Sequence, residues 1–267
     1  MIEREYVWID GPPASGKTTF IERLIVATRN ELVLAARFVP AKTPKQSGPA
    51  KGNDETKRYA DAGAIGTMLF RVPSQPDPDA FWSSEFIENY SRAIIIEGAV
   101  VEEILSPSLV VCVMCPLPEG ESLLVKGARA PRRIDRDSMA ITEQVLFKND
   151  PKRLGALHEF ERMIPALGLT PRGGGWAIRD DSAGVTQAAV IVINVHDEGE
   201  RPAAERLAAE VRRIREDAEI KNDVIGLRDA KRQPIIVIAN LANAKDKELK
   251  KAITRVKRMF VRARSED

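Results

Sequence analysis

Eight residues near the start constrain this chain more than any other feature: Gly11-Pro12-Pro13-Ala14-Ser15-Gly16-Lys17-Thr18. Before them stands a short apolar run, residues 5–10 (EYVWID). From Thr18 onward the chain reads TTFIERLIVATRN, in which Phe20, Ile21, Leu24 and Ile25 recur on one helical face. The order is therefore strand, glycine-bounded turn, helix. Glycine at both ends of the turn lets the backbone pass close to a ligand. The N–H groups of residues 14–18 then point inward, at a helix N-terminus whose dipole favours anions. A lysine and a hydroxyl follow at once, a point charge and a hard oxygen ligand. This spacing serves the binding of phosphate chains.

Each position has an expected role. Gly11, Pro12, Pro13, Ala14, Ser15 and Gly16 supply the backbone cradle, and Lys17 reaches the β- and γ-phosphates. Thr18 is suited to ligate Mg2+, and Thr19 falls near the α-phosphate. Pattern and context together identify a P-loop NTPase that binds a nucleoside triphosphate with magnesium. The motif alone names neither the base nor what hydrolysis drives.

The rest of the chain repeats the strand–helix rhythm. Residues 32–39 and 65–72 suggest strands, 40–53 a loop, 54–64 a short helix, and 79–91 a helix after a proline-rich turn. Near-continuous apolar runs at 93–96, 109–114, 188–194 and 234–240 fit strands buried on both faces. The last two lead into helical stretches at 202–221 and 244–263. Strands alternating with helices imply an α/β fold with a doubly wound, mostly parallel sheet. Residues 117–184 interrupt the rhythm with a basic segment, two expected helices (138–148 and 152–166) and a glycine-rich turn. They read as a partly helical insertion or lid within one P-loop domain spanning 1–267.

Composition narrows the setting. The formal net charge of +2 gives no argument for nucleic acid or an acidic membrane as partner. No apolar run reaches the length of a membrane span, and residues 1–11 hold no apolar signal core. The expectation is a cytoplasmic protein with reduced thiols.

Several further segments resemble the SIMIBI-class GTPases that help insert nickel into urease and hydrogenase. They are Ile95-Ile96-Glu97-Gly98, Ser106 to Val111, Pro118 to Glu121, Gly184 to Asn194, Asn194-Val195-His196-Asp197, and Arg228 to Leu241. Asn53-Asp54 is similar to an early switch segment of that family. The resemblance implies that Asp54 and Glu97 act with Lys17 in catalysis. Asp54, Glu97 and Thr18 would serve the magnesium or the attacking water. Asn194, Asp197 and Asn240 would meet the base, with GTP favoured over ATP. It also implies slow hydrolysis, a nucleotide-dependent homodimer, and a client protein whose metal or cofactor site is being assembled. The chain departs from the family at Val195, where a lysine should stack over the base, at Gly98-Ala99-Val100, and in lacking a Cys-Pro-His motif.

Two other readings fit the same loop. One is an ATP-dependent small-molecule kinase, with Arg129, Arg132, Arg133 and Arg136 on its lid. The other is a nucleotide-binding adaptor with little catalysis. Gly52 to Arg58 and Ala62-Gly63-Ala64, with Ile96-Glu97-Gly98, resemble the molybdopterin guanine dinucleotide accessory proteins, which are of that kind. Cys112 and Cys115 lie three apart at an apolar strand, which favours inert buried thiols over a metal pair; a metal shared across a dimer through Cys115 is the alternative. His158 and His196 lack partners at ligand spacing. Lys247, Lys250, Lys251, Lys257 and Arg258 read as a solvated face of the last helix, with Leu249, Ile253, Val256 and Phe260 turned to the core.

Overall fold

The computed structural model describes residues 5–31, 33–40, 48–50, 52–72, 93–98, 108–126, 176–178, 184–216, 224–225 and 233–262. Within them an eight-stranded sheet forms in the order β11-β9-β6-β1-β5-β2-β4-β3. Its strands are β1 (Glu5–Asp10), β2 (Val33–Pro40), β3 (Gly48–Ala50), β4 (Gly66–Val72), β5 (Ala93–Gly98), β6 (Leu109–Met114), β9 (Val190–Asn194) and β11 (Ile235–Ala239). Every pairing in it is parallel except that of β3 with β4. A smaller sheet joins β7 (Leu124–Lys126), β8 (Trp176–Ile178) and β10 (Val224–Ile225). Four helices are described: α1 (Lys17–Ala27), α2 (Asp54–Ala62), α3 (Arg201–Glu216) and α4 (Lys247–Arg262).

The apolar runs dictate this arrangement. Alternate residues of one strand face opposite sides, and in β1, β5, β6 and β9 both sides are apolar. Tyr6, Trp8, Ile94, Ile96, Val110, Cys112, Ile191 and Ile193 join the core under α3. Val7, Ile9, Ile95, Val111, Val190 and Val192 pack on the other face with Phe20, Ile21, Leu24 and Ile25 of α1, Tyr59 of α2, and Leu249, Ile253 and Val256 of α4. A sheet covered on both faces has to be built from such strands. The result is the doubly wound fold of a P-loop NTPase.

Helix ends follow local chemistry. Helix α1 stops at Ala27; the Thr28 hydroxyl donates to the Leu24 carbonyl at 2.7 Å and Thr28 N–H to the same oxygen. Helix α2 starts in a capping box, where Asn53 and Thr56 each accept from the other's backbone N–H. It ends at Gly63 in the left-handed region. Asp246 begins α4 by accepting from the N–H groups of Glu248 and Leu249. Such bonds hold the Asp246 carboxyl below its ordinary value although burial pushes the other way.

Strand β3 falls where a loop was expected, and it is a short edge strand that tolerates Pro49. On α4, Lys247, Lys250, Lys251 and Arg258 are exposed as expected. Lys257 is different: its ammonium donates to the Ala27 carbonyl at 2.9 Å, satisfying the end of α1. The expected helices at 79–91, 138–148 and 152–166, the arginines at 129–136, His158, and the side chain of Phe260 lie outside the described residues. No helix among the described residues is long and apolar enough to cross a membrane.

Candidate nucleotide site

Strand β1 lies between β5 and β6, and the chain leaves its carboxyl end through residues 11–16 into α1. A sheet of this kind opens its binding crevice at such a point, where the neighbouring strands lead off to opposite sides. The loop demands glycine at both ends. Gly11 has φ +136°, and a Cβ there would fall 1.9 Å from the Val113 carbonyl oxygen. Gly16, at φ +97°, would drive a Cβ to 2.9 Å from the amide nitrogen of Asn194 and from Leu241. Between them Ala14 also takes a positive φ of 60°, a strained state for a residue with a side chain.

Lys17 folds back along the loop. Its ammonium donates to the carbonyls of Gly11 at 2.8 Å and Pro12 at 2.7 Å. Burial pushes its pKa down, while Glu97 and Asp10 pull it up and Arg37 adds to the lowering. A desolvated cation held by two neutral carbonyls gains strongly from an anion placed beside it. Ser15 is buried, and its hydroxyl oxygen has no hydrogen-bond partner among the described residues. An orphaned buried polar atom inside a loop suited to phosphate fits a ligand-binding role.

The second half of the site comes from the neighbouring strand ends. Glu97, at the carboxyl end of β5, is buried at 4% exposure and lies in register with Ile9 of β1 and Arg37 of β2. The Tyr59 hydroxyl donates to Glu97 Oε2; burial and the Glu97 charge raise the phenol's pKa, and nearby Thr18 opposes them. The next residue back on α2, Arg58, grips both carboxylate oxygens of Glu22 at 2.6 and 2.8 Å and reaches the Thr19 hydroxyl at 3.3 Å. Arg37 pairs with Glu55 of α2 at 2.7 Å. Asp54 stands exposed in the first turn of α2. The oxygens brought together, the Thr18 hydroxyl and the Glu97 carboxylate, are hard donors of the type Mg2+ takes, and Mg2+ keeps several waters rather than demanding a full protein cage.

The third element is the pair of loops after β9 and β11. Asn194 is buried, and both ends of its amide are engaged. Its nitrogen donates to the Ser15 carbonyl at 3.2 Å, and its oxygen accepts from Leu241 N–H at 3.1 Å. Asn240 donates to the His196 carbonyl at 2.9 Å and accepts from the N–H groups of Ala242 and Asn243. The two asparagines therefore staple both loops to each other and to the phosphate loop. Asp197 is exposed; one carboxylate oxygen accepts from Gly199 and Glu200 N–H. Val195 is buried in the core and turned from the rim.

Cys112 is fully buried, while Cys115 lies beyond the end of β6 with its thiol 3.9 Å from the Ala14 carbonyl. Burial pushes the Cys115 thiol up, Glu200 adds to that, and Lys17 opposes it. Among the described residues no three His, Cys, Asp or Glu side chains gather as a metal site. Tyr59 and Arg37 were not singled out from sequence. For Tyr59 a signal existed: Thr56, Tyr59 and Ala62 recur every third residue and form the buried face of α2.

No protein-family model matches the chain, and no curated protein matches it. Among solved structures it is similar to hydrogenase maturation factor HypB from Archaeoglobus fulgidus, at 15% identity and a TM-score of 0.44 over 97% of this chain and 91% of that one. A second is HypB from Helicobacter pylori in complex with nickel, at 13% identity and a TM-score of 0.39 over 96% of this chain and 86% of that one. A third is a LAO/AO transport system kinase, at 14% identity and a TM-score of 0.41 over 96% of this chain and 62% of that one. At these scores the likeness carries no argument.

Proposed function

We propose that this chain binds a nucleoside triphosphate with Mg2+, GTP in preference to ATP, and hydrolyses it slowly. Its role would be that of a switch in the maturation of a metalloenzyme or a cofactor. The observation that carries the reading is the loop from Gly11 to Thr18, closed around a partly buried Lys17 and facing the buried Glu97.

The residues divide the work. Lys17 leaves the carbonyls of Gly11 and Pro12 for β- and γ-phosphate oxygens, and the N–H groups of residues 14–18 take the remaining charge. Thr18 and Glu97 would hold the magnesium and its waters; the ion would neutralise charge building on the phosphates. Asp54 is proposed to orient the attacking water from the start of α2. At the other end, Asp197 keeps one carboxylate oxygen for the guanine edge, and Asn194 and Asn240 hold the loops that carry it. A client protein and a nucleotide-dependent homodimer are proposed from the resemblance of Glu97, Asn194 to Asp197 and Asn240 to the nickel-inserting GTPases.

The experiment is a titration of the purified protein with Mg2+ and non-hydrolysable GTP or ATP analogues, with molecular size followed by light scattering. Tighter GTP binding accompanied by dimerisation is expected. Tighter ATP binding to a monomer would overturn the guanine assignment. Absence of binding, or a Lys17→Ala variant that binds as the parent does, would overturn the reading as a whole.

A further inference from the structure

Two oxygens proposed to serve the magnesium, the Thr18 hydroxyl and the Glu97 carboxylate, come from elements far apart in sequence, α1 and β5. A third element, α2, holds the second of them through one side chain. Tyr59 is 0% exposed, and its hydroxyl gives its one proton to Glu97 Oε2.

This direction matters for a metal ligand. A carboxylate with one oxygen fixed by a donor presents the other in a set orientation. Such outer partners orient the inner ligands of metal sites and affect affinity nearly as much as the ligands do. Arg58 ties the same helix to Thr19 and Glu22 of α1.

We propose that Tyr59 is a positioning residue for the magnesium–triphosphate complex: its hydroxyl fixes one oxygen of Glu97 and so aims the other at the metal. This inference rests on the proposed triphosphate site and adds a residue to it. It also gives α2 a stake in the metal, since Tyr59 is seated by that helix.

The test is the Mg2+ dependence of binding of a fluorescent non-hydrolysable GTP analogue to the full chain, for the parent and for Tyr59→Phe. The phenylalanine keeps the ring and removes only the bond to Glu97. The Mg2+ concentration giving half of the metal-dependent tightening should rise about tenfold or more. Binding in excess chelator should stay unchanged. A double-mutant cycle with Glu97→Ala keeps the result decisive if the phenylalanine variant is less stable: the two changes should be less than additive in their effect on Mg2+. Unchanged Mg2+ dependence in Tyr59→Phe overturns this proposal alone, and so does an equal loss of affinity with and without metal, which marks a packing role. A parent that binds no triphosphate overturns the site and this proposal together.

Discussion

The Asn194 side chain joins Ser15 of the phosphate loop to Leu241 of the last strand's loop, donating to one backbone and accepting from the other. The bond to Ser15 spans 179 positions in sequence and ties two halves of the site into one body. Asn194→Ala leaves a buried carbonyl and a buried N–H without partners, which should cost about 2 kcal/mol in urea denaturation. Binding of GTP and ATP analogues should weaken by the same factor. A loss confined to GTP would mean that Asn194 reads the base directly.

Gly11 admits no side chain. A methyl group there would meet the Val113 carbonyl and sit at a φ that L-residues disfavour. Gly11→Ala should lower stability by about 2 kcal/mol or more and abolish triphosphate binding. Thermal melting and nucleotide titration would check both; a variant as stable as the parent would disprove the close approach of the loop to β6.

Alkaline conditions should single out Tyr59. Burial first, and the Glu97 charge second, raise its phenol above the ordinary value of 10.0. In the unfolded chain it ionises near that value, while in the folded chain it stays protonated. The folded state then holds the extra proton, and stability falls as pH rises above 10.0. Unfolding free energies across that range should drop more steeply for the parent than for Tyr59→Phe. Equal slopes would show that the phenol is not held in its neutral form.

Cys115 offers a chemical probe of the loop. Cys112 is sealed in the core, so alkylation of the folded protein should label Cys115 alone. With its thiol raised by burial and by Glu200, labelling at neutral pH should be slower than for a free cysteine. A triphosphate that orders residues 11–18 should slow it further, because the thiol lies against Ala14. Mass spectrometry of the labelled protein would show the site and the rate; no protection by nucleotide would count against loop ordering.

The parts readable from sequence are those set by local pattern. Phe20, Ile21, Leu24 and Ile25 lie buried on α1 as their spacing requires. The unbroken run from Leu109 to Met114 is buried at every position, as a central parallel strand must be. Residues 48–50 gave no strand signal, because Gly-Pro-Ala pairs only through its backbone at a sheet edge. Asn194 was legible as part of a base-type motif, but sequence carries no information on where an amide points. Tyr59 needed two elements assembled before it came into view: it sits on α2, and its partner Glu97 is fixed by the sheet.

The chain between β6 and β9 is tied down near both of its ends. On the way out, Ser122 and Leu123 bond to Glu210 of α3. On the return, Gly184 N–H donates to Asp10 at 2.7 Å, the residue before the phosphate loop, where any side chain at 184 would collide with that carboxylate. Closure entropy grows only with the logarithm of the intervening length, by about 0.6 kcal/mol per doubling. Evolution can therefore exchange or enlarge what lies between these ties while the phosphate loop keeps its shape. The same two ties mark where a laboratory graft would leave nucleotide binding intact.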